Sequence, residues 1–287
     1  MPTVKFNESQ IEEFCTIFKP FEEDVKNEYM SHFFRFKNAS VTIYKSGKVV
    51  FQGSNLEMFY DYLEKDNKQL SLDFDEDTPY DYLNTIGADE VGTGDTFGPI
   101  VCAAVFVKAY DTEKLKNIGV KDSKKLNDAK IKTIGKYIKE NYKYRVNIVR
   151  NEVFNDKYNI LNMNEMKAKL HNQNIESLSK EVKYEAICLD EFVNRFKYFK
   201  YLNNEGFKDI SFEMKGESKS IAVAAASILA RYFFLLEFDR LEKEYGYKLP
   251  KGSGKNAQNM IDKIRNDGKE NLFYHIAKTS FKNFNIK

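Results

Sequence analysis

Gly87-Ala88-Asp89-Glu90-Val91-Gly92-Thr93-Gly94-Asp95-Thr96-Phe97-Gly98-Pro99, the middle of the stretch from Thr85 to Val107, decides how this 287-residue chain is read. An apolar lead-in reaches two adjacent carboxylates, Asp89 and Glu90. A turn built on Gly92, Gly94 and Gly98 follows, and then an apolar, β-branched run from Ile100 to Val107. The pattern predicts two strands joined by a glycine-rich connection. The carboxylates fall at the end of the first strand, where functional loops begin. A bare acidic pair there wastes burial unless a cation or a solvated cleft meets it.

Two phosphate-binding motifs resemble parts of the chain and fail in context. The three glycines are spaced one residue too long for a dinucleotide fingerprint, and Pro99 and a β-prone run stand where a helix should start. Gly252-Ser253-Gly254-Lys255 is a fragment of a P-loop, but Leu249 replaces the first glycine and Asn256 the magnesium-binding hydroxyl residue.

The length allows one large or two ordinary domains, and a hydrophobic content of 42% supports a substantial core. No apolar run approaches a membrane span, and the first residues lack a secretory signal. Cys15, Cys102 and Cys188 are far apart in apolar contexts, which suits reduced core thiols and a cytoplasmic protein. Three scattered histidines cannot build a histidine metal site, so any ion must be held by oxygen, which favours Mg²⁺ or Mn²⁺. The formal charge of +2 hides an asymmetry: residues 1–84 carry a net −7 and the remainder a net +9. A basic body with a few grouped acids suggests an anionic polymer as substrate, although a lysine-rich solvated surface has the same composition.

Residues 1–66 read as a small α+β unit. Ser9 caps a helix to Phe18 with Glu12 at the capping-box position. Strands follow over Met30–Lys37, Ser40–Tyr44 and Lys48–Gln52, and then a helix from Leu56 to Lys65. The acids of this unit are expected in its helices and the tail behind them. Alternation places Phe34, Phe36, Val41, Ile43, Val49 and Phe51 on the core face. Arg35, Lys37, Thr42, Tyr44, Val50 and Gln52 then share the open face, and Lys48 stands beside them. That face is a nucleic-acid platform or an ordinary solvated sheet face. Residues 67–83 read as a linker. Its acids Asp73, Asp75, Glu76 and Asp77 lack the glycine and terminal Glu of a calcium loop.

Residues 84–287 follow the order β-β-α-β-α-β-β-α, a mixed sheet flanked by helices. Ser123, Lys124 and Lys125 precede a helix capped by Asn127 and can hold phosphate oxygens; a solvated surface is the alternative. Strands end at Asp190 and before Glu217, and Ser220 opens a long apolar helix. Asp89, Glu90, Asp190 and Glu217 thus each lie at a strand end or the turn beyond it, and strands of one sheet bring such ends together. Four acids at one edge repel and raise their own pKa values unless divalent cations neutralise them. This predicts a two-metal phosphodiesterase site. Neighbours on a strand face opposite ways, so Asp89 and Glu90 reach the same ions only if the strand bends, which Gly92 and Gly94 could allow. Glu90 or Glu217 alone could instead be an ordinary ion-paired acid.

At these residues the chain resembles the type 2 ribonuclease H family. The matching segments are Gly87 to Pro99, Asp122-Ser123-Lys124-Lys125-Leu126, Leu189-Asp190, and Lys215-Gly216-Glu217-Ser218-Lys219-Ser220 with Ser227-Ile228-Leu229-Ala230. Gly92-Thr93-Gly94, Glu217 as the fourth acid and the N-terminal extension are similar to the HIII branch rather than HII. The resemblance implies a ribonuclease H-like fold with an N-terminal substrate-binding domain resembling the TATA-binding protein. It implies a metal-dependent endonuclease that cuts RNA in RNA/DNA hybrids, leaving 5′-phosphate and 3′-hydroxyl ends. Asp89, Glu90, Asp190 and Glu217 would be its catalytic, metal-binding acids. Gly92, Thr93 and Gly94 would read the 2′-hydroxyl, Ser123, Lys124 and Lys125 would hold phosphates, and Arg35, Lys37, Tyr44 and Lys48 would meet the hybrid. A monomer is expected. The segment from Ala277 to Lys282 receives no role. An HII-like cut at single embedded ribonucleotides, or non-catalytic hybrid binding, are the alternatives.

Overall fold

A computed structural model describes residues 3–25, 28–36, 39–53, 79–120, 126–158, 162–203, 205–207 and 209–284. Two compact units divide the chain, Met1–Tyr82 and Leu83–Lys287.

In the first unit, strands β1 (Thr3–Lys5), β2 (Glu22–Glu23), β3 (Met30–Phe36), β4 (Ala39–Tyr44) and β5 (Lys48–Gly53) form an antiparallel sheet in the order β1-β5-β4-β3-β2. Three of these strands were expected. β1 and β2 are too short to show a period of two, and their pairing to β5 and β3 defines them. Helix α1 (Glu8–Phe18) starts earlier than expected. Asn7, not Ser9, is the cap: its Oδ1 accepts from the Gln10 N–H at 2.9 Å, and Gln10 Oε1 accepts from the Asn7 N–H at 2.9 Å.

Phe14 and Phe18 of α1 pack on Phe34, Val41, Ile43, Val49 and Phe51, the expected core face. The open face is less open than alternation implied. Thr42 and Val50 are buried, because Thr42 lies in register with Phe33 on one side and Val50 on the other. Nor is the sheet free of acids. Glu22 meets His32 at 2.8 Å and Lys19 at 2.6 Å, and Glu23 meets Arg35 at 3.2 Å. Lys37, the side chain of Phe36, the expected helix Leu56–Lys65 and the acidic run Asp73–Asp77 lie outside the described residues.

The second unit holds a five-stranded mixed sheet in the order β10-β9-β6-β7-β8. Its strands are β6 (Thr85–Val91), β7 (Ile100–Val107), β8 (Tyr144–Val149), β9 (Ala186–Asp190) and β10 (Ser211–Glu213). β6 is antiparallel to β7 and parallel to β9, and β9 is parallel to β10. Hence β6, β9 and β10 all end at the same rim. Helices α2 (Thr112–Asn117), α3 (Asp128–Asn141), α4 (Met163–Ser179), α5 (Arg195–Tyr201), α6 (Gly216–Lys219), α7 (Ile221–Tyr245), α8 (Lys255–Asn266) and α9 (Phe273–Ile276) complete it. Asn127 caps α3 through a 2.9 Å bond from the Lys130 N–H.

Every residue of β7 is buried, because both faces are covered. Val101, Ala103, Val105 and Val107 pack with Ala222, Ala224 and Ala225 of α7. Ala104 and Phe106, on the other face, pack with Ala168, Ile175 and Leu178 of α4. The alanines of α7 let the helix sit directly on β6. A Cβ on Gly87 would lie 2.1 Å from the Ala222 carbonyl carbon, so only glycine fits there. α7 is also long and apolar enough to cross a bilayer by length and composition, which the sequence reading did not anticipate. Its apolar window is 78% buried within the protein, as befits a core helix.

Candidate active site

Parallel pairing of β6, β9 and β10 determines which acids meet. Ala88 lies in register with Leu189, and Glu213 with Asp190, so Asp89 and Asp190 reach the rim on adjacent strands. Past β10 the chain turns sharply through Lys215, which adopts the left-handed conformation at φ +56°. This strained turn aims the Gly216 N–H at Asp190 Oδ1, 2.7 Å away, and starts the turn of helix carrying Glu217. Ser227 of α7 stands between two of them: its hydroxyl lies 3.5 Å from Glu217 Oε2 and within hydrogen-bonding reach of Asp89, and its single proton serves one carboxylate at a time.

Asp89 is buried. Its carboxyl is pushed well above the usual carboxylate range by burial first, and then by the negative charges of Glu90 and Asp190. The Ser227 hydroxyl and the Glu90 N–H, 2.7 Å from Asp89 Oδ1, offset this only partly. Glu90 behaves oppositely. β6 pairs with β7 without a break as far as Val91, so the strand does not bend between the two acids. Glu90 therefore points to the other face, toward α4. Lys167 donates to its Oε1 at 2.9 Å, and His171 Nε2 lies 2.8 Å from its Oε2. Burial raises the Glu90 carboxyl, but the bonds and charges of His171 and Lys167 outweigh burial and hold it below the usual range.

All four acids sought in the sequence thus gather at one rim, three on the α7 side and Glu90 ion-paired behind them. Among the described residues no three His, Cys, Asp or Glu side chains stand close enough to hold an ion together. The candidate donors are all carboxylate oxygens, and Asp89 meets the negative charge of both Glu90 and Asp190; that chemistry fits a hard divalent cation.

The glycine turn has two unlike halves. Gly92 is buried at φ +91°, and a Cβ there would lie 2.1 Å from the Pro99 carbonyl oxygen. Gly94 is exposed, with nothing within 4 Å of an added Cβ among the described residues. The fold favours glycine at 92, whereas Gly94 leaves backbone open to an approaching ligand. Thr93, between them, is half-buried. The C-terminal segment, given no role from sequence, closes on this turn. Lys278 is fully buried and donates to the carbonyl oxygens of Asp95 at 2.8 Å and Gly98 at 2.6 Å. Burial brings its pKa down to about 7. The loop rejected as a P-loop also braces the turn, with the Gly252 N–H on Asp95 Oδ1 at 2.5 Å. Ser123, Lys124 and Lys125 lie outside the described residues. Arg35 and Lys48 are exposed and Tyr44 half-exposed, all in the N-terminal unit.

Sequence reading also missed Lys167 and His171. Their signal was a polar stripe, Lys167, His171 and Asn174, at helical spacing on the buried face of α4.

A mixed sheet whose rim gathers acids beside a glycine turn agrees with the ribonuclease H-like fold that the sequence resemblance implies. Comparison with known proteins specifies this class. The family model described as Ribonuclease HII matches residues 86–284, and a domain of unknown function (DUF3378) matches residues 3–71. Ribonuclease HIII of Bacillus mycoides (strain KBAB4) is 40% identical over 257 residues, covering 82% of this chain and 81% of that one. The crystal structure of Bst-RNase HIII in complex with Mn²⁺ is 32% identical with a TM-score of 0.68, covering 99% of this chain and 96% of the other. That of a mutant Bst-RNase HIII gives 31% and 0.69, with the same coverage. The chain belongs to the type 2 ribonuclease H family, in its ribonuclease HIII branch. It is an RNase H endonuclease acting on RNA/DNA hybrids.

Proposed function

We propose that Asp89, Asp190 and Glu217 hold Mg²⁺ or Mn²⁺ in a two-metal arrangement, that Glu90, facing the other side of the unbent strand, adds its charge to the rim from behind, and that this rim hydrolyses the RNA strand to 5′-phosphate and 3′-hydroxyl ends. The observation that carries the reading is Asp89: a buried carboxyl flanked by two other acids is destabilised as it stands, and a cation relieves it. The related Bst-RNase HIII is described in complex with Mn²⁺. Ions bound there would activate water and neutralise charge building on the phosphate.

The chain's own groups do the rest. Ser227 stands between Asp89 and Glu217 and donates to one of them at a time. The Gly216 N–H holds Asp190 in one rotamer. The open backbone at Gly94, beside Thr93 and Gly92, admits a ribose and reads its 2′-hydroxyl. Ser123, Lys124 and Lys125 hold phosphates, and the N-terminal unit grips the hybrid through Arg35, Lys37, Tyr44 and Lys48. The work is done in the cytoplasm.

The test is cleavage of an end-labelled RNA/DNA hybrid with Mg²⁺, Mn²⁺ or chelator, with the product ends identified. Cleavage lost in chelator and restored by either ion, with 5′-phosphate products, is expected. Undiminished cleavage in chelator rejects the metal reading.

A further inference from the structure

Glu90 is gripped at both ends of its carboxylate. Each oxygen has its own donor, Lys167 Nζ at 2.9 Å and His171 Nε2 at 2.8 Å. Both donors are sealed in: the Lys167 side chain is 8% exposed and that of His171 0%. Phe192, two residues beyond Asp190, covers them both. The Lys167 ammonium stands 3.9 Å from its ring centroid, and the His171 ring stacks on it at 5.7 Å and 29°. One aromatic side chain thus ties the end of β9 to the two residues of α4 that hold the end of β6. Burying a lysine this way is costly unless its charge is used. Here it offsets one of the acids at the rim, while Asp89, one residue away, has no such help.

We propose that Lys167 and His171 are positioning residues for Glu90: they hold its carboxylate in one orientation for cleavage, and the Lys167 charge makes the rim a weaker trap for divalent ions than four bare acids would be. This rests on the assignment of the four acids made above. It makes two quantities move in opposite directions. Removing the charge while keeping the bulk should tighten ion binding, because a like charge is withdrawn from a low-dielectric site. The same change should slow cleavage, because Glu90 loses its orientation.

The test compares the whole protein with Lys167→Met, Lys167→Arg and His171→Gln. It uses Mn²⁺ titration calorimetry without nucleic acid, single-turnover cleavage of a hybrid, and thermal melting. Lys167→Met should bind Mn²⁺ at least about threefold more tightly and cleave at least about tenfold more slowly. Lys167→Arg, which keeps the charge, should leave Mn²⁺ affinity unchanged and recover most of the cleavage. Parallel losses of Mn²⁺ affinity, cleavage and melting temperature would mean a packing role alone and overturn the proposal, as would a Lys167→Met protein that binds and cleaves normally. If Lys167→Met does not fold, Lys167→Arg and His171→Gln decide. His171→Gln should slow cleavage at a normal melting temperature, and normal cleavage overturns the proposal. Asp89→Asn separates the two readings: if it cleaves normally the assignment of the four acids fails, and if it is inactive while Lys167→Met is normal only the present inference does.

Discussion

The two five-stranded sheets of this protein treat their acids differently. In the N-terminal sheet the acids of the edge strand meet bases: Glu22 joins Lys19 and His32, and Glu23 joins Arg35. At the rim of the second sheet Asp89 meets Glu90 and Asp190, and is held by a hydroxyl and a backbone N–H. The contrast separates charge that folding has settled from charge left for a ligand to settle. Surface pairs of the first kind contribute about 0–1 kcal/mol each. Buried like charges of the second kind oppose folding, and persist where function uses them.

The sharpest way to break this comparison is Asp89→Asn. Cleavage should fall by about a thousandfold or more, since several kcal/mol of charge stabilisation are lost. Melted without metal at pH 7, the variant should nevertheless be more stable, by about 0.5–2 kcal/mol. The sign follows from the direction of the shift. A carboxyl whose pKa is raised in the fold supports folding below its unfolded value, and that support is lost as pH rises through the folded value. Asn has no such loss, so the gap between variant and wild type should close as pH drops. A variant less stable at neutral pH would show that Asp89 is satisfied after all.

A second comparison lies within the glycine turn. Gly92→Ala should cost about 1–3 kcal/mol, because its Cβ meets the Pro99 carbonyl and its φ is positive. Gly94→Ala should leave the melting temperature within about one degree, yet slow hybrid cleavage roughly tenfold or more by crowding the ribose. If Gly94→Ala cleaves normally, the open backbone there is not where the 2′-hydroxyl is read.

The smallest effects belong to the N-terminal sheet. Arg35→Ala and Lys48→Ala should each weaken hybrid binding a few-fold and lower the salt slope of log K by about 0.7–0.9, with the single-turnover rate at saturating hybrid unchanged. An unchanged slope would mean that Arg35 is occupied by Glu23 rather than by phosphate.

What sequence alone determined was the alternation of strands and helices, the glycine turn, and the presence of Asp89, Glu90, Asp190 and Glu217 at strand ends or the turn beyond them. These are local: a period of two or 3.6, a turn residue and a strand terminus are all written within a few neighbours. Tertiary structure decided the rest. Unbroken pairing of β6 with β7 turned Glu90 away from Asp89 and onto Lys167 and His171, far along the chain. Packing brought Lys278 from the far end of the chain under the glycine turn, and gave the short β1 and β2 their partners. Asn7 took the cap from Ser9 because its own geometry closed the box with Gln10. Which acid meets a base and which meets another acid depends on distances across the fold, and no window of neighbouring residues contains them.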